Sequence, residues 1–347
     1  MTDDTKPHVL LIGEFEHTAS QSFLTSLLPL MHLHHLPTTT PDSFRTLLNS
    51  PAPSIPLSKI THLYRTFYSF SQTGPLTPSD LSHFPSLRRI ILGAAGYDSI
   101  PIPYCLEHGI QVSNTPDVTE SATADTALYL ILSALRGFNR SERILRSGGW
   151  LRDCPLGHEP RGKTIGVLGL GGIGREVVKR VKPLGVGRVI YHNRRRVDAA
   201  VEKELGVEYV TFEELLKEAD VLTIHVPLSE ATYHVVGEKE IAMMKQGAVV
   251  VNTARGGVVD DEALVKALEE GRVAAAGFDV LEGEPEVRWG LAEREDVVLL
   301  PHVGTHTVET RTEMDLRGLR NLRAVLEGGE VEDLVVELEG LKGKGRK

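Results

Sequence analysis

Short apolar runs alternate with helical patterns along most of the chain. From Lys163 onward the alternation is regular, and helical stretches such as 172–182 and 260–270 separate the apolar runs. Those runs cover residues 164–168, 188–192, 221–226, 248–252, 274–278 and 297–300. Near-continuous apolar strands joined by helices are typical of a parallel sheet that is covered on both faces. This part of the chain is therefore predicted to be an α/β domain with a parallel sheet.

The first third of the chain predicts a smaller α/β unit. Strand-like runs at 8–13, 62–67 and 89–93 alternate with short helical stretches, and proline is concentrated in the connections. A helix without glycine or proline is predicted over 119–136, as a bridge to the second domain. A further helix at 308–327 is expected to cross back and pack on the first domain. We therefore predict a discontinuous first domain, 1–117 plus 308–347, and a second domain, 118–307.

Composition excludes several classes of protein. The 347 residues suffice for two ordinary domains, and the net charge of −9 gives no general attraction to nucleic acid or to acidic membranes. No apolar run reaches the length of a membrane span, and the N-terminal residues carry no signal-like apolar segment. Cys105 and Cys154 are the two cysteines and have no metal-like spacing, which is typical of a reducing compartment. We expect a cytoplasmic enzyme with a small-molecule substrate and no nucleic-acid or membrane partner.

A glycine-rich turn follows the strand at 164–168 and opens a helix. It reads Gly-Leu-Gly-Gly-Ile-Gly and matches G-x-G-x-x-G. In this pattern the first glycine permits a tight turn, the second lets the backbone approach a pyrophosphate, and the third lets helix and strand pack closely. The helix N-terminus adds N–H groups and a positive dipole. We predict a dinucleotide site, with an ordinary glycine-rich turn as the alternative; its residues are Gly169, Gly171, Gly172, Ile173 and Gly174.

The residues after the second strand of this domain indicate which nucleotide binds. A site selective for NAD usually has Asp or Glu there, but this chain has Asn193 followed by Arg194, Arg195 and Arg196. The three guanidinium groups could pair with a 2′-phosphate, and no carboxylate is present to repel it. We predict NADP as the preferred cofactor, with NAD as a further possibility. A solvated basic turn is the alternative.

Three chemically active residues follow predicted strands in the second domain. Arg255 comes just after the strand 248–252, and an arginine there can bind a carboxylate and reach the adjacent carbonyl oxygen. His302 ends another strand and can donate a proton near neutrality. Glu284 lies in an acidic loop and, beside an imidazole, would favour its protonated form and fix its tautomer. Together they predict a site that binds a 2-oxo acid and donates a proton to it.

Several motifs, in their order along the chain, resemble those of the D-isomer-specific 2-hydroxyacid dehydrogenases, and fungal glyoxylate and hydroxypyruvate reductases in particular. They are Gly169–Gly174, His225–Leu228, Val251–Gly256, Gly277–Val280, Glu284-Pro285, Leu300–Gly304 and, for the finer likeness, Tyr191–Arg194 with Gly304–Arg311. The resemblance implies two Rossmann-like domains, one flavodoxin-like and one NAD(P)-binding, with the active site in the cleft between them. It also implies a homodimer.

The resemblance also implies roles for individual residues. Arg255, Glu284 and His302 would be catalytic, with Glu284 as the partner of the histidine. The backbone of Ala95 and Gly96, with Arg255 and His302, would bind the substrate; such small residues let a backbone approach an anion. Asp279 would bond the nicotinamide carboxamide. The cofactor-binding set is completed by Asn193, Arg194, Arg195, Val226, Pro227, Thr253, Ala254, Arg255, His302, Gly304 and Thr123.

Two other interpretations of the sequence differ from this one. The C-terminal-binding-protein corepressors share the fold and the catalytic residues but act as nucleotide-sensing scaffolds. Since fold does not decide function, a scaffold of this kind is the alternative to an enzyme.

The histidines His32, His34 and His35 suggest a metal site, but no Cys, Asp or Glu follows at a matching spacing. We expect a surface strand edge there, and no metal site.

Overall fold

The computed structural model describes residues 6–287 and 289–343. The chain divides into two compact units. One contains the chain up to Thr119 together with the segment from Thr307 onward, and the other runs from Glu120 to His306. Within the described residues, no helix has the length and apolar character needed to cross a membrane.

The first unit is built on a five-stranded sheet in the order β2-β1-β3-β4-β5, with every neighbouring pair parallel. Its strands are β1 (His8–Ile12), β2 (His32–His35), β3 (Ile60–Arg65), β4 (Arg89–Leu92) and β5 (Gln111–Ser113). The helices between them are α1 (Thr18–Leu27), α2 (Pro41–Leu48), α3 (Ser69–Thr73), α4 (Pro78–Ser82) and α5 (Ile102–Glu107).

The three histidines of β2 lie on an edge strand, as predicted. His34 bonds His8 of β1 through its ring, with 2.9 Å between the two nitrogens. Across the described residues, no group of three or more His, Cys, Asp or Glu side chains is arranged to hold a metal ion.

The second unit is built on a seven-stranded parallel sheet in the order β12-β11-β10-β9-β6-β7-β8. Its strands are β6 (Thr164–Leu168), β7 (Arg188–His192), β8 (Glu208–Tyr209), β9 (Val221–Ile224), β10 (Ala248–Asn252), β11 (Val273–Phe278) and β12 (Val297–Leu299). The helices are α6 (Glu120–Arg136), α7 (Phe138–Arg146), α8 (Gly172–Val181), α9 (Ala199–Leu205), α10 (Phe212–Glu218), α11 (Glu238–Met243), α12 (Asp261–Glu269) and α13 (Trp289–Ala292).

The order of the second sheet defines where a ligand can bind. Strands β7 and β8 lie on one side of β6, and β9 to β12 lie on its other side, so the direction of strand addition reverses at β6. In open α/β sheets such a reversal leaves a crevice beyond the carboxyl ends of the strands, where ligands bind. The glycine turn after β6 lies at this reversal.

Burial explains why the strands of the second unit were predictable. β9 and β10 are buried along their whole length, so their sequences are continuous apolar runs apart from Thr223 and Asn252. The short strands β5 and β8 were not predicted. β8 has two residues at the sheet edge and leaves no pattern to detect.

The last long helix, α14 (Val308–Leu326), completes the first unit. Its buried Leu319, Leu322 and Val325 belong to one apolar cluster with Val9 and Leu11 of β1. The helix therefore packs on the sheet of the first unit.

Candidate active site

The glycine turn has the geometry that a dinucleotide needs. Gly169 has a φ of +100°, and a Cβ atom there would lie 2.8 Å from the carbonyl oxygen of His225. A Cβ at Gly174 would collide with the carbonyl oxygen of Gly169, so helix and strand pack closely only with glycine there. Gly171 has open space where a side chain would point, and no side chain caps α8 at this residue. The N–H groups of the first turn can therefore donate hydrogen bonds to a phosphate.

A carboxylate missed by the sequence analysis lies beside this turn. The side chain of Glu120, the first residue of α6, occupies the space that a Cβ at Gly172 would need. A larger residue at position 172 would require the Glu120 carboxylate to move. Ile173, half-buried, follows on the same turn of α8. Nothing in the sequence spacing connects Glu120 with residue 172, because α6 and α8 meet only through tertiary packing.

The basic turn after β7 has one arginine committed to the fold. Arg196 makes a two-pronged ion pair with Glu202, with 2.7 Å for each N–O contact. Tyr191 also donates to Glu202, and these bonds lower the pKa of that carboxyl to about 2. The expectation that three arginines are available for a phosphate is therefore wrong for Arg196, because its guanidinium already has a carboxylate partner.

The other residues of the turn remain as predicted candidates. Arg194 and Arg195 are exposed, and neither makes a hydrogen bond or ion pair within the part of the chain that the structure describes. Asn193 accepts a hydrogen bond from the backbone N–H of Leu170, at 2.6 Å, through Oδ1. This bond ties the basic turn to the glycine turn, so the two parts of the predicted nucleotide site are held together.

Arg255 is positioned by a buried asparagine. Asn252, fully buried at the end of β10, accepts from the N–H of Ala254 and donates to the carbonyl of Arg255, each at 2.9 Å. The guanidinium of Arg255 donates to the carbonyl oxygen of Ala254 at 2.7 Å. A Cβ at Gly256 would collide with the backbone of Leu281, so the position after Arg255 requires glycine. Asn252 holds the turn that displays Arg255.

Glu284 and His302 form a direct pair. Nδ1 of His302 lies 2.8 Å from Oε1 of Glu284, and both side chains are about one-third exposed. An ionised carboxylate can only accept a hydrogen bond, so Nδ1 carries the proton of this pair. Nε2 is then the imidazole nitrogen that can exchange a proton with a ligand.

Asp279 holds the turn that carries His302. Its two carboxylate oxygens accept from the N–H groups of Val303 and Gly304, both at 2.7 Å, and its backbone carbonyl accepts from the N–H of His302 at 2.7 Å. Asp279 is 2% exposed, and this burial raises its pKa above the usual range. His302 itself has a φ of +55°, an uncommon conformation that needs such support.

The remaining predicted cofactor residues lie at the same carboxyl edge of the second sheet. Val226 and Pro227 follow β9, and Thr253 and Ala254 follow β10, where both are buried. Thr123 of α6 lies 3.4 Å from where a Cβ of Gly304 would be.

A neutral histidine links two of these strands. The ring of His225 bonds Thr223 at 2.9 Å and Thr253 at 3.3 Å. Burial lowers its pKa to about 3, so it is uncharged at neutral pH. Its role in the structure is to hold Thr253, and a role in proton transfer is not supported.

Ala95 and Gly96 belong to the first unit. They follow β4, and the loop is held by Asn114, which donates to the carbonyl oxygen of Ala95 at 2.7 Å. Thr115 also donates its N–H to the carbonyl of Ala94. The loop thus has its carbonyl groups bonded to the body of the unit.

The sheet order, the glycine turn and the acid–histidine pair define an NAD(P)-dependent oxidoreductase. A family model described as "D-isomer specific 2-hydroxyacid dehydrogenase, NAD binding domain" matches residues 128–304. The chain belongs to the D-isomer-specific 2-hydroxyacid dehydrogenase family.

Three comparisons cover nearly the whole chain. A 4-methyl-2-oxopentanoate reductase from Aspergillus oryzae is 41% identical over 332 residues, which is 95% of this chain and 98% of the relative. The crystal structure of a glyoxylate reductase from Paecilomyes thermophila has a TM-score of 0.89 at 40% identity, covering 96% of this chain and 100% of the other. An NADPH-dependent glyoxylate/hydroxypyruvate reductase from Sinorhizobium meliloti, solved with NADP and malonate, has a TM-score of 0.83 at 30% identity, covering 96% and 98%.

The Asp279 contacts predict a stability effect. In Asp279→Asn the side-chain oxygen can accept a hydrogen bond from only one of the two backbone N–H groups. The NH2 group of the amide then faces the other N–H, which loses its acceptor. We expect the free energy of unfolding to fall by about 1–3 kcal/mol, the usual cost of an unpaired buried polar group. Urea unfolding of purified protein measures this value.

Asp198→Asn is the matched control for this prediction. Asp198 caps α9 at the surface by accepting from the N–H of Ala200 at 2.8 Å, and Asn is an equally good cap. We expect a change within about 0.5 kcal/mol there. Equal stability of Asp279→Asn and the wild-type protein would contradict the importance of the two bonds.

Proposed function

We propose that this protein reduces small 2-oxo acids, such as glyoxylate and hydroxypyruvate, to 2-hydroxy acids with NADPH. One observation carries the proposal. Arg255, Glu284 and His302 follow β10, β11 and β12, which are three neighbouring strands of one parallel sheet. An anion-binding guanidinium and a paired imidazole therefore lie at the same sheet edge as the glycine turn, where a 2-oxo acid needs them.

Each residue has a defined task in this proposal. Arg255 binds the substrate carboxylate and orients the carbonyl, together with the backbone N–H groups of Ala95 and Gly96. His302 gives its Nε2 proton to the carbonyl oxygen as that oxygen gains negative charge. Glu284 keeps the imidazole oriented and stabilises its protonated form. A nicotinamide cofactor held at the glycine turn would supply the hydride for C2 of the substrate.

The named relatives support the substrate class. They are reductases of glyoxylate, of hydroxypyruvate and of 4-methyl-2-oxopentanoate, all 2-oxo acids. These acids share the carboxylate and the adjacent carbonyl that Arg255 would bind, and they differ only beyond C2.

Removal of the proton donor gives the first functional prediction. His302→Gln keeps a polar side chain of similar size but cannot donate a proton at neutral pH. We expect kcat with glyoxylate to fall by about 10²- to 10⁴-fold, the usual contribution of a general acid. The rate of NADPH oxidation, followed at 340 nm, measures kcat.

His158→Gln makes the same chemical change at an exposed position of the same unit. We expect wild-type kcat from this control. A wild-type rate from His302→Gln would show that another group donates the proton.

The preference for NADPH is proposed from the turn after β7. Arg194 and Arg195 are exposed cations beside Asn193, and that turn contains no acidic side chain to repel a 2′-phosphate. The relative from Sinorhizobium meliloti, which is described as NADPH-dependent, supports the same choice. Arg196 is not part of this proposal because it pairs with Glu202.

A double substitution tests the preference directly. In Arg194→Gln with Arg195→Gln we expect the Kd of NADPH to rise by about tenfold or more, because charge-assisted hydrogen bonds to the phosphate are lost. The Kd of NADH should change by less than about threefold, because NADH lacks that phosphate. Quenching of protein fluorescence on titration measures both constants without turnover.

Arg161→Gln is the control, since Arg161 is an arginine of the same unit whose side chain is 80% exposed. It should leave both constants unchanged. Tighter binding of NADH than of NADPH by the wild-type protein would overturn the preference.

A further inference from the structure

A buried arginine of the first unit has unused hydrogen-bond donors. Arg311 lies in the first turns of α14 and is 6% exposed. Its Nε and Nη1 atoms are buried and have no hydrogen-bond partner within the described part of the chain. Its guanidinium carbon lies 3.2 Å from the ring centroid of Phe67 and 5.3 Å from that of Tyr68.

Among the residues that the structure describes, the stacked Arg311 guanidinium lacks acceptors for two of its buried donor atoms. Stacking of a guanidinium on an aromatic ring is favourable and stabilises the positive charge. It does not satisfy the N–H groups, however, and a buried donor without an acceptor costs free energy. Burial lowers the pKa of Arg311, although a guanidinium remains protonated. A ligand oxygen that reached Nε or Nη1 would supply the missing acceptor.

A cavity next to Arg311 offers room for a small group only. It is lined by Glu14, Glu16, His17, Thr66, Phe67, Tyr68, Arg311 and Asp315, all of the first unit. Its volume is about 10 Å³, close to the minimum that one water molecule occupies. The hydroxyl of Thr66 is a second buried group without a partner among the described residues. A group of the size of a hydroxyl fits this space, and a branched aliphatic chain does not.

The charges around the cavity favour a neutral polar group. Asp315 and Glu16 both interact electrostatically with Arg311. Burial raises the pKa of Asp315 to about 6, so it is largely ionised at neutral pH. These two carboxylates already interact with the guanidinium and would repel a second carboxylate of a ligand. A hydroxyl can accept from the guanidinium and donate to a carboxylate, which suits this set of charges.

The position of the cavity relates it to the loop that contains Ala95 and Gly96. Thr66, Phe67 and Tyr68 follow β3, and Ala95 and Gly96 follow β4, the neighbouring strand. Adjacent strands lie about 4.8 Å apart, which is similar to the span from the carboxylate to the C3 substituent of a small 2-oxo acid. The proposal places the substrate carboxylate at that loop and its C3 substituent at the cavity.

We propose that Arg311, stacked on Phe67, is the specificity residue for the C3 substituent and selects 2-oxo acids that carry a hydroxyl there. This inference rests on the proposed reduction of 2-oxo acids and adds the preferred substituent. Hydroxypyruvate has this hydroxyl, pyruvate has a hydrogen in its place, and glyoxylate has no C3 atom. A comparison of the three acids therefore distinguishes an effect on binding of the C3 hydroxyl from an effect on the reduction of C2.

The test compares these acids in the wild-type protein and in Arg311→Gln, with NADPH as the reductant. The wild-type protein should prefer hydroxypyruvate to pyruvate in kcat/KM. In Arg311→Gln we expect kcat/KM for hydroxypyruvate to fall roughly 10- to 100-fold, while that for glyoxylate changes less than about threefold. Arg311→Lys keeps the charge but loses the planar fork of donors, and should give an intermediate loss for hydroxypyruvate.

Arg323→Gln is the matched control, because Arg323 lies on the same helix with its side chain 54% exposed. It should leave all three values unchanged. Equal losses for hydroxypyruvate and glyoxylate in Arg311→Gln, or an unchanged ratio of the two, would overturn the subsite while leaving the reductase activity established. A wild-type protein that reduces none of the three acids with NADPH or NADH would overturn the proposed function and the subsite with it.

Discussion

The two hydrogen bonds from the carboxylate of Asp279 to the N–H groups of Val303 and Gly304 are the constraint on which the candidate site depends. They fix the turn after β12, and this turn gives His302 its left-handed backbone and its contact with Glu284. Such an arrangement is costly to break, because Asp279 is buried and two backbone donors would lose their acceptor together. The position of the proposed proton donor is thus set by a residue of the neighbouring strand end.

The parallel sheet turns this local constraint into a site. Parallel strands all end at the same edge, so residues far apart in sequence are brought together there. Arg255, Glu284 and His302 use three adjacent strand ends, and the glycine turn uses the reversal at β6. Each candidate group is held by a further residue behind it. Asn252 holds the turn of Arg255, Asp279 holds the turn of His302, and Asn193 ties the basic turn to the glycine turn.

The sequence predicted those features that leave a local pattern. The strands of the second unit are continuous apolar runs because both faces of the sheet are covered, and the glycine turn has a fixed spacing. Features that depend on tertiary contacts could not be predicted. The pairing of Arg196 with Glu202, the contact of Glu120 with Gly172 and the stacking of Arg311 on Phe67 each join residues that no sequence period relates. The family resemblance implies roles for Arg255, Glu284 and His302, whereas the residues that position them are defined by tertiary contacts.

Isotopic labelling tests most directly whether this protein transfers a hydride to C2 of a 2-oxo acid. The protein is supplied with hydroxypyruvate and with NADPH that carries deuterium at both C4 positions, in ordinary water. We predict glycerate with one deuterium at C2, as mass and NMR spectra would show, and we expect its D isomer because the family is specific for that isomer. Glycerate without deuterium at C2, or no glycerate at all, would contradict the account.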